Sequence, residues 1–421
     1  MAGLTLVTGG AGSGKTARLV ALAAQHYEVD RFAPLLVLVP TARHADQFRR
    51  RLVERAHAVF GLDVATLNQY AQRLTSGRML SRDVADELLQ RVTQERAHGD
   101  GTASRFRPIV HMGGLHALVR AAVNDLVADA VDPAAFEASA RATTDLDLRA
   151  LADVYAAYRA ALDARTARHP AEAAALAASP VAGGEGTPPP LVLIDGVQFL
   201  RGGEVALVAA LAAVADVWIS LDPDAGARSR WTAQELARRV PGAHTEALDA
   251  TGPAAPIEAA TAADDEAQLR EIARSIKAWL DADRALRPSD FAVVFRRVTP
   301  HLALARRVFH EYGLPLDPAA GERLAERPLG AWILRLLRLP VHDWRLTDVL
   351  DVCGSGFMDA RRHGFAGGTL ERLRRIGRKH DLWGGLEPLG RIPEAIEQEI
   401  EAEKAGDPGS GRAAGVALTA A

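Results

Sequence analysis

The residues that could do chemistry stand near the start of the chain, in a glycine-rich loop that ends in a lysine and a threonine. The loop follows a short apolar run, Leu4 to Val7, and precedes a helical pattern that begins at Ala17. Glycines let backbone N–H groups turn toward an anion, and the N-terminus of the following helix adds partial positive charge. The pattern predicts a phosphate-binding loop made of Gly9, Gly10, Ala11, Gly12, Ser13, Gly14, Lys15 and Thr16.

Lys15 and Thr16 have separate expected roles in this loop. The lysine reaches the outer phosphates of a nucleotide, and the threonine hydroxyl ligates Mg²⁺. The chain has 50 lysines and arginines, of which only four are lysines. In a chain that otherwise uses arginine, a lysine at this position is a specific signal. It favours a phosphate site over the alternative, an ordinary glycine-rich turn between a strand and a helix.

A carboxylate follows another apolar strand much later in the chain. The run 191–194 ends at Asp195, which is followed by Gly196. Because the carboxyl ends of parallel strands meet at one edge of a sheet, Asp195 is expected near the phosphate loop. A carboxylate there can hold Mg²⁺ through water, beside the Thr16 hydroxyl. A strand that ends in Asp-Gly is a weak signal alone, but together with the loop it predicts ATP and Mg²⁺ as ligands.

The composition limits the classes of protein to be considered. A length of 421 residues predicts two to four domains, and 48% hydrophobic with 24% charged residues is typical of a globular protein. The net charge of −3 means that any nucleic-acid contact must come from local basic patches. The single cysteine, Cys353, excludes a disulfide framework and a cysteine-built metal site within these residues. No signal peptide or membrane-spanning run is visible, so we expect a cytoplasmic protein without a membrane partner.

The hydrophobic pattern predicts an α/β protein built on the parallel sheet of a P-loop NTPase. The predicted strands are 4–7, 34–40, 64–67, 191–196, 216–221 and 290–295. The expected organisation is a first lobe over 1–73 and 191–225, a helical insertion without strands over 74–180, a linker over 181–190, a connection over 226–256, the start of a second α/β lobe over 257–340, and a truncated helical, basic insertion over 341–421.

In this order the pieces resemble a superfamily 1 helicase core of the UvrD type, and most nearly the AddB/RexB family, one of the two subunit types of the ATP-dependent helicase/deoxyribonuclease. The likeness rests on the phosphate loop, on Val39-Pro40, on Asp195-Gly196 and on the block from Glu266 to Leu339. The resemblance implies two RecA-like lobes and a role in DNA double-strand-break repair and recombination. It also implies single-stranded and double-stranded DNA ends as ligands and a catalytic helicase–nuclease subunit as partner in a heterodimer.

The same resemblance assigns two further residues to the nucleotide. The arginine at the position of Arg296 touches the γ-phosphate from the second lobe in UvrD-like enzymes, and Gln198 stands where a glutamine senses that phosphate. The motor sequence Asp-Glu-x-Gln is replaced here by Asp195-Gly196-Val197-Gln198. The missing glutamate would position and deprotonate the attacking water, a contribution of about 100- to 10,000-fold. We therefore expect ATP binding with weak or absent hydrolysis.

Members of the resembled family also carry a nuclease domain of the PD-(D/E)XK type and often a four-cysteine cluster. Neither is found in these 421 residues. The resemblance therefore predicts that this chain is the N-terminal part of a longer helicase–exonuclease subunit, and that it does not cleave DNA by itself.

The candidate DNA contacts follow the second and third predicted strands. Single-strand grooves combine basic groups with aromatic side chains on which bases stack. The candidates are Thr41, Arg43, Thr66, Asn68 and Tyr70. Tyr70 could stack on a base, whereas half-buried packing is the more common role of a tyrosine at the start of a helix. The arginine-rich helix predicted over 42–60 could likewise be a solvated face or contact a phosphate backbone.

Two other functions compete with the helicase-like subunit. A P-loop kinase or other small-molecule phosphotransferase would use the same loop, but such enzymes are usually compact single domains. A DNA-recognition scaffold with a vestigial nucleotide site is the second alternative. Nucleotide binding and turnover, measured with and without single-stranded DNA, distinguish the three.

Overall fold

The protein is described by a computed structural model that covers residues 2–56, 59–75, 77–184, 186–249, 257–318, 324–358, 362 and 368–406. The chain divides into two compact units, Met1–Ala255 and Pro256–Ala421. Each unit is described by itself below. The predicted tail after residue 406 lies outside the described residues.

The secondary structure alternates strands and helices in the first unit and is helical in the described part of the second. The strands are β1 (Gly3–Thr8), β2 (Leu35–Val39), β3 (Leu62–Thr66), β4 (Arg78–Met79), β5 (Ala167–Arg168), β6 (Leu191–Ile194), β7 (Asp216–Leu221) and β8 (His244–Ala247). The helices of the first unit are α1 (Lys15–Val29), α2 (Ala42–Ala56), α3 (Leu67–Leu74), α4 (Arg82–His98), α5 (Gly113–Ala128), α6 (Pro133–Arg141), α7 (Leu146–Asp163), α8 (Ala173–Ala182), α9 (Gly202–Val214) and α10 (Ala227–Arg239). Those of the second are α11 (Asp265–Ala282), α12 (Thr299–Glu311), α13 (Pro328–Arg338), α14 (Leu346–Cys353), α15 (Thr369–Lys379), α16 (Leu386–Leu389) and α17 (Ile392–Gly406).

A six-stranded parallel sheet forms the centre of the first unit. Its strand order is β3-β2-β6-β7-β1-β8. All five residues of β2 are buried, as expected for a strand covered on both faces by helices. The α/β fold with a parallel sheet is confirmed, and so are the strands predicted near 4–7, 34–40, 64–67, 191–196 and 216–221.

The sixth strand, β8, was not predicted. Residues 226–256 were expected to form a connection, but α10 occupies the first part of that range and β8 pairs in parallel with β1. The sequence of β8 is His-Thr-Glu-Ala, which is polar and largely exposed. An edge strand of this kind carries no apolar pattern, because only one of its sides is paired and its side chains remain in solvent. The described residues 226–249 therefore belong to the first lobe, which corrects that prediction.

The helical insertion has its own core, separate from that of the sheet. Helices α4, α5 and α7 bury residues such as Leu88, Val123 and Tyr155 against one another. The insertion was predicted to lack strands, but β4 and β5 form a two-residue parallel pair. Helix α8 packs in the core of the sheet through Ala177 and Val181, so the start of the predicted linker over 181–190 is helical.

In the second unit, α11 and α12 pack around buried residues that include Leu269 and Val308. Helix α11 has the predicted bounds. The strand predicted over 290–295 is wrong: Pro288–Asp290 is a 3-10 helix, and residues 291–295 are in no regular element. Among the described residues of this unit there is no strand to pair with them. Across the described chain, no helix combines the length and the apolar character needed to cross a bilayer.

Candidate nucleotide site

The glycine loop links β1 to α1 in a conformation that suits glycine. Gly14 immediately precedes α1 with φ of 87°, in the left-handed region that disfavours other residues, and Gly12 has φ of 79°. The side chain of Lys15 folds back on the loop, where its Nζ donates to the carbonyls of Gly9 and Gly10 at 2.5 and 2.7 Å. The lysine is therefore held at the mouth of the loop.

Close packing fixes the start of the loop. A Cβ atom on Gly9 would lie 2.5 Å from the carbonyl oxygen of Leu248 and 2.5 Å from the hydroxyl of Ser13. The Leu248 N–H donates to the Thr8 carbonyl at 2.7 Å, so β8 continues alongside the loop. The Ser13 hydroxyl is buried without a hydrogen-bond partner among the described residues. A buried donor of this kind suits an acceptor such as a phosphate oxygen.

The structure brings Thr16 and Asp195 together, as the two motifs predicted. The Thr16 hydroxyl donates to Oδ1 of Asp195 at 3.1 Å. Ser220, near the end of β7, donates to the same oxygen at 2.9 Å and accepts from the Gly196 N–H at 3.0 Å. The Asp195 N–H donates to the carbonyl of Leu38 on β2. The carboxylate is therefore fixed by three strands, and Ser220 is a site residue that sequence reasoning missed.

This oxygen cluster fits a magnesium ion. Asp195 is only 7% exposed, and no ion pair to it is present among the described residues. A buried carboxylate without a cation is costly, and Mg²⁺ prefers carboxylate, hydroxyl and phosphate oxygens. The described residues contain no group of three or more His, Cys, Asp or Glu side chains that could hold a metal ion. The cluster therefore suits the kind of Mg²⁺ site that is completed by nucleotide phosphates and water.

The first turn of α1 is braced against the edge of the sheet. The guanidinium of Arg18 makes two hydrogen bonds to the carboxylate of Glu246 on β8, at 2.6 and 3.0 Å, and lies over the ring of Trp218. The hydrogen bond from Arg18 lowers the pKa of Glu246 and, reciprocally, raises that of the arginine. The bracing fixes the direction of the helix N-terminus, which provides the positive end of the helix dipole at the loop.

The two predicted γ-phosphate sensors have different settings. Gln198 is exposed in the loop that follows β6, three residues after Asp195. Arg296 is exposed in the second unit, just after the irregular stretch 291–295. Its role from that unit stays a prediction.

The candidate DNA residues surround the carboxyl ends of β2 and β3. Thr41, Arg43 and Asn68 are exposed, and the Thr66 side chain begins α3 by accepting from the Gln69 N–H. Tyr70 is only 6% exposed and packs in the core of the sheet, so its ring offers no face to a base. The stacking role predicted for Tyr70 is therefore wrong.

A comparison with protein-family models decides what the first part of the chain is. A model described as an AAA domain matches residues 1–97. The N-terminal part is an AAA-type P-loop NTPase domain, related to the P-loop domains of UvrD-like helicases. Such domains generally bind ATP with Mg²⁺. The match covers less than a quarter of the 421 residues, so it identifies this domain and not the whole protein. A search of curated proteins found no match.

Proposed function

We propose that the chain is a nucleotide-binding, helicase-like subunit of a complex that processes DNA double-strand-break ends. It binds ATP and Mg²⁺ at the glycine loop, hydrolyses ATP weakly or not at all, and contacts single-stranded DNA. Its partner is a catalytic helicase–nuclease subunit that acts as the motor.

The observation that carries the nucleotide-binding part is the contact between Thr16 and Asp195, 3.1 Å apart beside the loop. These residues are 179 positions apart in the chain, and the fold brings them to one edge of the sheet. A hydroxyl and a buried carboxylate in this arrangement are the protein ligands that a magnesium–phosphate complex needs.

The weak hydrolysis is supported by the backbone at Gly196. Its φ of 73° lies in the left-handed region, where a glutamate would be strained. The loop after Asp195 is thus built for glycine, and the acid that would activate water is absent from this position. His44 and Pro40 lie 3.4 and 3.6 Å from the place that a Cβ at 196 would take, so a side chain there would also be confined.

The DNA contact is supported by a polar cleft between α2 and α3. It has a volume of about 580 Å³ and is lined by residues that include Arg49, Thr66, Gln69 and Arg73. Guanidinium and amide groups can contact a phosphate backbone and base edges. The cleft adjoins the exposed residues Thr41 and Arg43 at the start of α2.

A calorimetric titration of the protein with ATP and a non-hydrolysable ATP analogue tests this proposal, together with a phosphate-release assay with and without single-stranded DNA. We expect Mg²⁺-dependent binding with negligible turnover. Lys15→Ala should weaken ATP binding about 10- to 100-fold, because a hydrogen bond to a charged group contributes about 1.5–3 kcal/mol. Lys277→Ala, which removes a surface lysine of the second unit, is the matched control.

The same experiment separates the competing functions. Absence of ATP binding by the unaltered protein would contradict the proposal and favour the scaffold with a vestigial site. Turnover stimulated by a small acceptor and not by DNA would favour a phosphotransferase. Turnover at ordinary motor speed would show that another group replaces the missing glutamate.

A further inference from the structure

A second cavity continues from the glycine loop into the groove between α1 and α2. Its volume is about 840 Å³, within the range of small-molecule sites. Loop residues 12–16 form one end, Ala17 and Val20 of α1 form one side, and Arg51, Glu54 and Arg55 of α2 line the rest. The phosphates of a nucleotide would occupy only the loop end, so the cavity has room for the nucleoside beyond them.

The three α2 side chains are not engaged elsewhere in the fold. All are exposed, and none makes a hydrogen bond or an ion pair with the part of the chain that the structure describes. By contrast, Arg49 on the same helix pairs with Asp46 and donates to the carbonyl of Val64. Two arginines at positions i and i+4 repel each other slightly, which does not favour the helix by itself. Their placement beside the loop is suited to an anionic, planar ligand.

Each wall of the cavity matches a different part of a nucleoside. Ala17 and Val20 present methyl groups, which suit the flat face of a base. The planar guanidinium groups of Arg51 and Arg55 can stack on the opposite face. The carboxylate of Glu54 only accepts hydrogen bonds, so its partner must be a donor such as a ribose hydroxyl.

We propose that the groove between α1 and α2 is the nucleoside-binding part of the site. The base lies between Ala17 and Val20 on one side and Arg51 and Arg55 on the other, and Glu54 accepts from the ribose 2′-hydroxyl. This inference rests on the proposed nucleotide binding and adds the residues that distinguish a nucleotide from a bare polyphosphate. The buried Ser13 hydroxyl, which also lines the cavity and has no partner among the described residues, provides a donor to the phosphates at the loop end.

Calorimetry with two ligands tests the role of the arginines. The ligands are ATP and inorganic tripolyphosphate, both with Mg²⁺, and the variant is Arg51→Ala/Arg55→Ala. Because stacking by arginine is lost, the affinity for ATP should fall about tenfold, while the affinity for tripolyphosphate should change less than about threefold. Arg50→Ala, which removes an exposed arginine of α2 that does not line the cavity, should leave the affinity for ATP unchanged.

The outcomes separate this inference from the proposed function. Equal losses for ATP and tripolyphosphate would show that the arginines hold phosphates, and no loss for either would show that they hold nothing; both results overturn the inference and leave ATP binding intact. If the unaltered protein bound neither ligand, the proposed function itself would fail. Circular dichroism of the variant verifies that α2 is still folded.

A comparison of ATP with its 2′-deoxy analogue tests Glu54. The unaltered protein should bind ATP about five- to tenfold more tightly, since the deoxy analogue leaves the carboxylate without a donor. Glu54→Gln should reduce that preference to less than about twofold, because a neutral amide oxygen is the weaker acceptor. An equal affinity of the unaltered protein for the two nucleotides would exclude the contact between Glu54 and the ribose.

Discussion

Two stretches of similar sequence take different structures in the two units. Residues 34–40 and 290–295 are both short apolar runs, and both predict a buried strand. The first forms β2, which lies between β3 and β6 with all of its residues buried. The second is irregular, and its residues 291–295 alternate between half-buried and exposed. An apolar run becomes a strand only where neighbouring strands satisfy its backbone groups.

The difference has a consequence for where the chemistry is placed. In the first unit, parallel neighbours bring the ends of β6 and β7 to one edge, so Asp195 and Ser220 meet there. In the described part of the second unit, Arg296 follows a stretch without such neighbours. The position of Asp195 is thus fixed by several strands at once, whereas no sheet fixes Arg296. Four predictions break or sharpen this contrast.

The largest effect is expected from a cavity in the middle of the sheet. Leu193 lies on β6 and is fully buried, so Leu193→Ala should lower the free energy of unfolding by about 2–5 kcal/mol. Urea unfolding, followed by hydrogen exchange of the amides of β2 and β7, measures the loss. Leu118→Ala, at a leucine that is 72% exposed on α5, is the control and should change little. Unchanged exchange in the two neighbouring strands would contradict the central place of β6.

The next effect concerns the glycine loop. Gly9→Ala would place a Cβ 2.5 Å from the carbonyl oxygen of Leu248, which is backbone and cannot move aside cheaply. The expected loss is about 1–3 kcal/mol of unfolding free energy, together with weaker ATP binding. Gly10→Ala is the matched control, because a Cβ there would meet no atom within 4 Å. Equal thermal stability of the two variants would show that β8 does not pack against the loop.

The third effect is a pH dependence of the first unit. Burial lowers the pKa of His169 to about 4, and its Nδ1 accepts a hydrogen bond from the Ala171 N–H, which the protonated ring could not do. Between pH 6.5 and 4 the unfolded chain binds a proton that the folded chain does not, so stability falls as the pH is lowered. From pH 7 to 5 the expected loss is about 1–2 kcal/mol.

The variant His169→Asn separates this histidine from the other titrating groups. An asparagine keeps an acceptor for the Ala171 N–H and removes the titration. Urea unfolding at pH 7 and pH 5 should therefore show a smaller loss in the variant than in the unaltered protein. The same loss in both would assign the pH dependence to other groups.

Much of the site follows from the sequence because its signals are local or follow from the sheet. Lys15 and Thr16 belong to a continuous motif, and Asp195 ends an apolar run whose neighbours are parallel. Ser220 could not be predicted, since its contact with Asp195 depends on the register that pairs Ile194 with Ile219. The burial of Tyr70 likewise depends on the packing of α3 against α8, which no local pattern reveals.

The smallest effect is expected in the stretch that did not become a strand. Val293 packs partly against the cluster formed by α11 and α12, whereas Val294 is 88% exposed. Val293→Ala should cost about 0.5–1 kcal/mol of unfolding free energy, and Val294→Ala should stay within about 0.5 kcal/mol of zero. Were this stretch a strand covered on both faces, like β2, the two identical substitutions would both be costly. Hydrogen exchange of the α11 and α12 amides in the two variants measures the difference. A loss at Val294 as large as that at Val293 would show that a second layer covers the stretch and would restore the predicted strand.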